Sequence, residues 1–317
     1  RVMAWWAWYL LLLLLLFVLV LLVLDELRDV WRARRELRGE VVLITGASGS
    51  LGRELARRFA SEGALLLLWD VNEDGLKALA TLLVSEGRCS AGQVRTRCLD
   101  VCDPVKVAAA LAQDRAEFGP VSVLVNNAAV ARGHTVLDSS VEEIQQAFNV
   151  NALAHWWSVK AALPSMIAAA HGTIVTISSV MADVPSARLA DYCATKAAIS
   201  QLHRCLRWEL KGSGVHCMLV QPFMIGDSPL FRGGAPIRYP VLRPLVPLLL
   251  ASDVADAIVD GVQKRREHIV LPWFLRHLLA ILPFLPGPLR DIVLDLGGAA
   301  TSMDGFIGQA EQHVPKR

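Results

Sequence analysis

The sequence lacks the clustered residues that build a metal centre or a disulfide framework. Its 317 residues include only six cysteines and eight histidines. No two cysteines form a Cys-x-x-Cys pair, and no histidine cluster accompanies them. We therefore predict no metal site, and we expect free thiols in a reducing compartment.

The chain also lacks a strong charge imbalance and internal repeats. Its formal net charge is +2 at pH 7, from 32 basic and 30 acidic residues. The arginines between Arg28 and Arg38 alternate with acidic residues. Such alternation is typical of a solvated surface and not of a phosphate-binding patch. We therefore expect no nucleic-acid partner.

Apolar residues are what the chain has in excess, at 54% of the sequence and a mean hydropathy of +0.41. Much of this excess lies between Ala4 and Leu24, in the uncharged run AWWAWYLLLLLLLFVLVLLVL. This length is enough for a helix to cross a bilayer, and the aromatic residues near one end are typical of the membrane interface. We predict a membrane anchor over residues 1–25. A cleaved signal peptide is disfavoured, because the run exceeds the usual apolar core and no small-residue cleavage site follows.

Basic residues are more numerous after this run than before it. Five arginines follow it within the stretch DELRDVWRARRELRG, whereas only Arg1 precedes it. The positive-inside rule then places the rest of the chain in the cytosol. We expect residues 26–39 to form a linker helix next to the membrane.

After the linker, short apolar runs alternate with amphipathic stretches. The runs of strand length are VVLIT, ALLLLWD, QVRTRCLD, VSVLVNN, GTIVTISS, GVHCMLVQP and HIVLP. Strands that alternate with helices predict a parallel sheet covered on both faces. The expected fold is therefore Rossmann-like α/β, a doubly wound sheet that binds ligands at the carboxyl ends of its strands. We expect Pro164 to bend or break the long helical stretch in which it lies.

Two later segments interrupt this alternation. Residues 223–250 are rich in proline and glycine yet apolar, and they follow a strand end, so we favour a substrate lid over a plain surface loop. Residues 273–317 begin with the apolar stretch WFLRHLLAILPFLPGPL, which is too short and broken to span a bilayer. This extension could lie on the membrane, cover the substrate pocket or pack as core, and the sequence leaves all three open.

The first strand leads directly into the glycine-rich stretch GASGSLGRELA. Such a loop lets a backbone approach a pyrophosphate, and the helix that follows offers unpaired N–H groups and a favourable dipole. We therefore predict a dinucleotide-binding loop, whose contact residues are Gly46, Ser48, Gly49, Ser50, Leu51 and Gly52.

Asp70 ends the second strand, where a carboxylate can accept hydrogen bonds from both hydroxyls of an adenosine ribose. The same carboxylate repels a 2′-phosphate, and no basic residue lies in the glycine loop or directly after Asp70. We therefore expect NAD and not NADP. Further cofactor contacts are expected at the ends of later strands, from Asp100, Val101, Asn127, Ala128 and Pro222.

The segment DYCATKAA places Tyr192 and Lys196 four residues apart, on one face of a predicted helix. Ser179 ends the strand GTIVTISS, and Asn151 lies upstream in FNVNALAHWW. Strand ends converge at one rim of such a sheet, so these four side chains can meet. Together with the glycine loop and Asp70, this set resembles the short-chain dehydrogenase/reductase family over about residues 40–272.

The resemblance implies an NAD-dependent alcohol oxidoreductase with Asn151, Ser179, Tyr192 and Lys196 as its catalytic residues. A free tyrosine titrates near pH 10, and we expect the Lys196 ammonium and the positive nicotinamide to lower that pKa. Tyr192 would then act as general base, and Ser179 would stabilise charge on the substrate oxygen. By resemblance, Lys196 and Tyr192 also contact the cofactor, and Asn151 holds a water that relays the proton.

The glycine loop departs from the family pattern at one position. Ser50 replaces the middle glycine, and Gly49 lies one residue earlier. This change could shift the phosphate turn and weaken NAD binding.

Three further segments, LRDVWRARRELRGEVVLITGA, LLLLWDVNEDGL and LGGAATSMDGFIGQ, resemble one membrane-bound branch of the family. That branch contains epidermal-type retinol dehydrogenases and 17-beta-hydroxysteroid dehydrogenases types 11 and 13. The resemblance implies a retinoid or steroid substrate, a location on the endoplasmic reticulum membrane or lipid droplets, and a homodimer formed through the helix that carries Tyr192 and the long helix before it.

Three hypotheses follow from the sequence. The first is oxidation of retinol to retinal with NAD. The second is a 17-beta-hydroxysteroid or other lipid alcohol dehydrogenase with the same catalytic residues. The third is a lipid-droplet or membrane scaffold with little turnover, for which Ser50 is the only support.

Overall fold

A single parallel sheet of seven strands organises the computed structural model, which describes residues 32–231, 248–301, 303, 304 and 306. The strands cross the sheet in the order β3-β2-β1-β4-β5-β6-β7, and all neighbours pair in parallel. The prediction of a doubly wound, Rossmann-like α/β fold is therefore confirmed. The strand bounds are β1 (Val41–Thr45), β2 (Leu65–Asp70), β3 (Val94–Cys98), β4 (Val123–Asn126), β5 (Gly172–Ile177), β6 (Val215–Pro222) and β7 (His268–Leu271).

Helices cover both faces of this sheet. Their bounds are α1 (Ser50–Ser61), α2 (Glu73–Ser85), α3 (Pro104–Phe118), α4 (Val141–Phe148), α5 (Ala154–Ala168), α6 (Ala190–Glu209), α7 (Ala251–Gln263), α8 (Leu275–Ile281) and α9 (Gly287–Leu296). Successive residues of β1 point to opposite faces, so Val42 packs with α1, α2 and α7, and Val41 packs with α3, α5 and α6. Burial on both faces explains why the central strands are continuous apolar runs.

The strand order reverses between β1 and β4, because the chain continues from β1 to β2 on one side and from β4 to β5 on the other. Such a reversal leaves a crevice in which doubly wound proteins bind ligands. The Thr45 hydroxyl at the end of β1 accepts hydrogen bonds from the backbone N–H groups of Asn127 (3.0 Å) and Ala128 (3.1 Å), which follow β4. The two strand ends are thus tied together beside the crevice.

The predicted linker helix is wrong over its described part. Residues 32–37 have no regular secondary structure, and residues 38 and 39 form a turn. The turn needs Gly39 at a φ of +77°, and its N–H donates to the Gly63 carbonyl after α1. Leu37 is meanwhile buried in the core. The bond to the Gly63 carbonyl and the burial of Leu37 therefore favour the turn over a continued helix.

Two predicted segments fall wholly or partly outside the described residues. The anchor over residues 1–25 lies outside the described residues, and within the described part of the chain no helix is both long and apolar enough to cross a membrane. Of the predicted lid, the structure describes residues 223–231 and 248–250. These two ends are held together, because Gly226 N donates to Leu249 O (2.8 Å) and Leu249 N donates to Met224 O (3.0 Å).

Candidate active site

A cleft of about 980 Å³ lies at the carboxyl ends of the strands. The glycine loop lines one end of the cleft, and the first residues after β5 and β6 line the other end. Every residue predicted to contact cofactor or substrate lines this cleft except Asn151. The residues concerned are Gly46, Ser48, Gly49, Ser50, Leu51, Gly52, Asp70, Asp100, Val101, Asn127, Ala128, Ser179, Tyr192, Lys196 and Pro222.

Close backbone contacts require glycine at two of the three predicted glycine positions. Gly46 has a φ of +64°, and a β-carbon there would lie 2.8 Å from the Cα of Ala128. A β-carbon on Gly52 would collide with the Gly46 carbonyl oxygen and lie 2.7 Å from the Cα of Ala47. Gly49 is different, because its β-carbon would meet the Gly46 oxygen at an ordinary 3.4 Å. Gly46 and Gly52 therefore keep the loop tight, whereas Gly49 has steric room for a side chain.

The start of α1 fits the pyrophosphate of a dinucleotide. Gly49 precedes the helix, and no described side chain caps the backbone N–H groups of its first turn. Unpaired N–H groups at a helix N-terminus attract anions. Ser50, the departure from the family pattern, is the first helical residue and lines the cleft, with its side chain half-buried.

Asp70 is the last residue of β2, and its carboxylate holds the glycine loop in place. Its Oδ2 accepts a hydrogen bond from Ser48 N (2.9 Å), and its Oδ1 accepts one from Asn72 N (2.9 Å). Among the described residues that line the cleft, Lys196 is the only basic one, and it lies beside Tyr192. Beside Asp70 the cleft therefore offers a carboxylate and, among its described lining residues, no basic side chain, a combination that suits a ribose diol.

The remaining predicted cofactor contacts surround the same end of the cleft. Asp100 lies two residues after β3, and its Oδ1 accepts from Cys102 N (2.9 Å). The Asn127 amide donates to the backbone oxygens of Thr45 (2.9 Å) and Gly46 (3.1 Å). Asn127 thereby braces the glycine loop from the end of β4.

Tyr192 and Lys196 lie one turn apart near the start of α6, and both are almost fully buried, at 4% and 1% exposure. The Lys196 ammonium lies 5.5 Å from the centroid of the Tyr192 ring and donates to the Ile177 carbonyl (2.9 Å). The Tyr192 hydroxyl shares a hydrogen bond with the Ser179 side chain. The predicted serine, tyrosine and lysine therefore meet at one point of the cleft.

Burial sets the pKa values of this group. It raises the pKa of Tyr192 above its ordinary value, and the Ser179 hydrogen bond offsets only part of that rise. It lowers the pKa of Lys196 to about 7. The predicted fall in this pKa therefore depends on the positive charge of the nicotinamide, because among the protein's own groups burial outweighs the Ser179 hydrogen bond.

Asn151 lies behind the cleft, in a π-helical turn (Asn149–Leu153) between α4 and α5. Its Oδ1 accepts from Val130 N (2.8 Å), and its Nδ2 donates to Val130 O (2.9 Å) and to the Thr195 hydroxyl (3.2 Å). Thr195 in turn donates to the Tyr192 carbonyl (2.7 Å). Asn151 thus ties the loop after β4 to the helix turn that carries Tyr192 and Lys196.

Gln221 is a residue of the site that the sequence did not reveal. It is buried on β6, and its Nε2 donates to the Ser179 carbonyl (3.1 Å) and to Asp183 Oδ2 (2.5 Å). His268 on β7 completes the set through a 2.6 Å bond to Gln221 Oε1. Burial lowers the pKa of His268 to about 4, so this histidine is neutral at pH 7 and its Nε2–H can donate. Only the pairing of β6 with β7 brings these residues together.

Comparison with known proteins agrees with this geometry. The short chain dehydrogenase family model matches residues 40–233. The chain is 33% identical over 287 residues to epidermal retinol dehydrogenase 2 from Homo sapiens, covering 89% of each chain. It is 32% identical over 253 residues to human 17-beta-hydroxysteroid dehydrogenase 13, covering 80% of this chain and 81% of the relative.

Solved structures show the same architecture. A short-chain dehydrogenase/reductase from Burkholderia phymatum, crystallised in complex with NAD, superposes with a TM-score of 0.68 at 27% identity. The alignment covers 82% of this chain and 96% of that one. The match to the family model, the identity to the relatives and the shared fold lead to one conclusion: this chain belongs to the short-chain dehydrogenase family and is an oxidoreductase.

Proposed function

We propose that this enzyme uses NAD to oxidise a lipophilic alcohol to its carbonyl, with retinol to retinal as the leading reaction. The observation that carries the proposal is the meeting of Ser179, Tyr192 and Lys196 in the cleft that also holds the glycine loop. NAD⁺ supplies the hydride acceptor when bound, and its positive nicotinamide favours negative charge on the Tyr192 oxygen.

Each side chain of this group has a separate role in proton transfer. Ser179 hydrogen-bonds the substrate oxygen and stabilises charge that develops on it. Tyr192 accepts the hydroxyl proton as general base. Lys196, with a pKa lowered to about 7, can carry or release a proton near neutral pH beside the tyrosine. Both amide hydrogens of Asn151 donate to protein oxygens, so a relay water held by this residue would have to bind one of its oxygen atoms.

Asp70 is proposed to select NAD over NADP. We expect Asp70→Asn to raise the ratio of kcat/KM with NADP to that with NAD by about tenfold, because a neutral amide no longer repels a 2′-phosphate. Asp100→Asn is the matched control, since it makes the same change in an acid that lines the same cleft. Initial rates with both cofactors measure the ratio. An unchanged ratio in the Asp70 variant would refute this role.

The substrate class follows from the surroundings of Tyr192. Its buried apolar neighbours are Ala131, Met181, Leu189, Met224 and Met303, with Phe223, Leu230 and Phe306 packed against them. Phe223 and Leu230 of this cluster line the cleft, and such apolar side chains suit the hydrocarbon part of a retinoid or a steroid. The similarity to a retinol dehydrogenase and to a 17-beta-hydroxysteroid dehydrogenase supports the same two classes.

Side-by-side turnover distinguishes the two substrate classes. NADH formation is followed with all-trans-retinol and with a 17-beta-hydroxysteroid, using membranes that carry the full chain. The proposal expects the higher kcat/KM with retinol. A higher value with the steroid would make the second class the function, and no turnover of either would direct the search to other lipid alcohols.

Gln221 offers a test of how Ser179 is positioned. We expect Gln221→Leu to lower kcat about tenfold with KM for NAD unchanged, because the Ser179 carbonyl loses its donor and Asp183 and His268 lose their partner. Gln263→Leu is the control, since Gln263 is similarly buried on α7 and donates to Glu62 (2.8 Å). Equal kcat values in the two variants would contradict the role.

We also propose that the enzyme works at the endoplasmic reticulum membrane or a lipid-droplet surface, with its dehydrogenase domain in the cytosol. The uncharged run from Ala4 to Leu24 and the arginines after it support this location. In the described part of the extension, the exposed apolar side chains are Trp273, Leu278, Ile281, Phe284, Leu289, Ile292 and Leu296. Exposed apolar side chains of this kind suit a lipid surface.

A homodimer is the assembly that we propose for the catalytic domain. Phe148 at the end of α4, Leu153 in the π-helical turn and Trp156 on α5 are exposed, and Trp208 is exposed near the end of α6. Large apolar side chains on helices next to the site are typical of a subunit interface.

A further inference from the structure

A layer of polar side chains interrupts the apolar packing between the sheet and helices α5 and α6. Asn126 at the end of β4 and Thr176 on β5 are partners in register, so their side chains point to the same face of the sheet. His155 on α5 and His203 on α6 are also buried, and none of the four residues is more than 4% exposed. We call these four residues the polar layer. Buried polar groups in apolar surroundings require hydrogen-bond partners.

Direct contacts satisfy only part of the polar layer. His203 Nδ1 pairs with Thr176 Oγ1 (3.0 Å). The Ser158 hydroxyl donates to Asn126 Oδ1 (2.6 Å) and lies 3.1 Å from the His155 carbonyl oxygen, so Asn126 is tied to the helix turn that carries His155. No described residue bonds to Asn126 Nδ2, to either ring nitrogen of His155 or to His203 Nε2. Reversal of the Asn126 amide exchanges its two polar atoms and still leaves one of them unpaired.

The polar layer lies next to the Lys196 side chain. The Lys196 ammonium donates to the carbonyl of Ile177 (2.9 Å), the residue directly after Thr176. Burial, and then the charge of Lys196, lower the pKa of His155 to about 3. The His155 ring is therefore neutral at pH 7 and carries one N–H donor and one acceptor nitrogen. A neutral ring with a free acceptor can hold a water molecule without adding charge beside the ammonium.

We propose that the polar layer binds water, which bridges the Asn126 amide and the His155 ring, and that His155 is a positioning residue whose water hydrates the Lys196 ammonium from its buried side. Internal water molecules typically make about three hydrogen bonds to buried polar groups that lack other partners. Such water stabilises the charged form of Lys196, and this charge favours the phenolate of Tyr192. The inference rests on the proposed function, because it assumes that Tyr192 acts as the base.

The titratable neighbours of these side chains in the described part of the chain determine the sign of the effect. Lys196 and His203, both on α6, act on His155, and burial also lowers the pKa of His203 to about 3. Burial is the cause of the lowered pKa of Lys196, and Tyr192 lies one turn away on the same helix. The strands contribute uncharged side chains to the layer. Loss of the water therefore weakens the positive charge beside Tyr192 and raises the pKa of its phenol.

The test follows NADH formation from all-trans-retinol against pH, with saturating NAD and the full chain. For His155→Leu, we expect the midpoint of the acid limb of kcat/KM to rise by about one pH unit. Above this limb kcat/KM should approach the wild-type value, because the base is then ionised in both proteins. A purely structural loss would instead lower kcat/KM by the same factor at every pH.

Two further variants serve as controls. His155→Gln keeps a donor and an acceptor at this position, so the midpoint should stay within about 0.3 pH unit of the wild type. Gln263→Leu removes a similarly buried polar side chain from α7. It should lower the Tm and leave the midpoint unchanged.

Asn126→Leu removes the other ligand of the water and should move the midpoint in the same direction, which keeps the test available if His155→Leu does not fold. High-resolution crystallography of the wild type should show a water within hydrogen-bond distance of both Asn126 and His155. A dry layer, an unmoved midpoint or a uniform fall in kcat/KM would overturn the inference and leave the proposed function intact. Absence of Tyr192-dependent turnover at every pH would overturn both.

Discussion

Tyr192→Phe is expected to lower kcat/KM for alcohol oxidation by about 10³-fold, the range typical of a lost general base. The substitution removes one oxygen from a side chain that is 4% exposed, so the surrounding packing should persist. NAD affinity should change much less than kcat/KM, because the substitution removes only one of the expected cofactor contacts and leaves the glycine loop and Asp70 untouched. Steady-state NADH formation and NAD titration measure the two effects separately.

A matched control is available for this substitution. Tyr9→Phe makes the same chemical change in the predicted anchor and should leave kcat/KM unchanged. Retention of more than about a tenth of wild-type activity by Tyr192→Phe would contradict the assignment of Tyr192 as the base.

Gly52→Ala is expected to weaken NAD binding by about 100-fold, equivalent to about 2.7 kcal/mol. The added β-carbon would collide with the Gly46 carbonyl oxygen and press on Ala47 at 2.7 Å, so the phosphate-binding loop must move. These contacts are backbone atoms, which cannot rotate away as a flexible side chain can. Titration with NAD, combined with circular dichroism to confirm folding, measures the loss.

Gly49→Ala is the control for this second prediction. Gly49 has a φ of −70°, and its β-carbon would make an ordinary 3.4 Å contact, so binding should change by less than about threefold. If Gly52→Ala bound NAD as tightly as the wild type, the steric account of the loop would be wrong.

Local patterns were sufficient to predict the cofactor end of the cleft. The β1–loop–α1 unit combines a strand of apolar residues, a turn that requires glycine and an amphipathic helix, and each has a cause within a few residues. Asp70 is the last residue of β2 and Asn127 is the first residue after β4, so both could be predicted from the ends of their strands. Parallel pairing then brings these ends together, so their common position needed no knowledge of side-chain packing.

Features that depend on distant partners were not predictable in this way. Gln221 meets His268 only through the register of β6 and β7, and Met303 reaches Tyr192 from 111 positions along the chain. The sign of the pKa shift at Tyr192 depends on burial by the whole fold.

The helix before the site shows how context overrides a local rule. Pro164 was expected to bend or break it, and the break is wrong, because α5 runs through this residue from Ala154 to Ala168. The carbonyl that Pro164 leaves without a donor belongs to Lys160, an exposed residue, so water can satisfy it. The irregular turn lies instead at Asn149–Leu153, where it carries Asn151.

Transfer of a labelled hydride tests the central claim most directly. Retinol that carries deuterium on its carbinol carbon would be incubated with NAD⁺ and the full chain, and the reduced cofactor would be examined by mass spectrometry. Our account predicts deuterated NADH from the wild type and almost none from Tyr192→Phe. Tight NAD binding without label transfer from retinol, a 17-beta-hydroxysteroid or a long-chain alcohol would contradict it and would favour a scaffold with an inactive cleft.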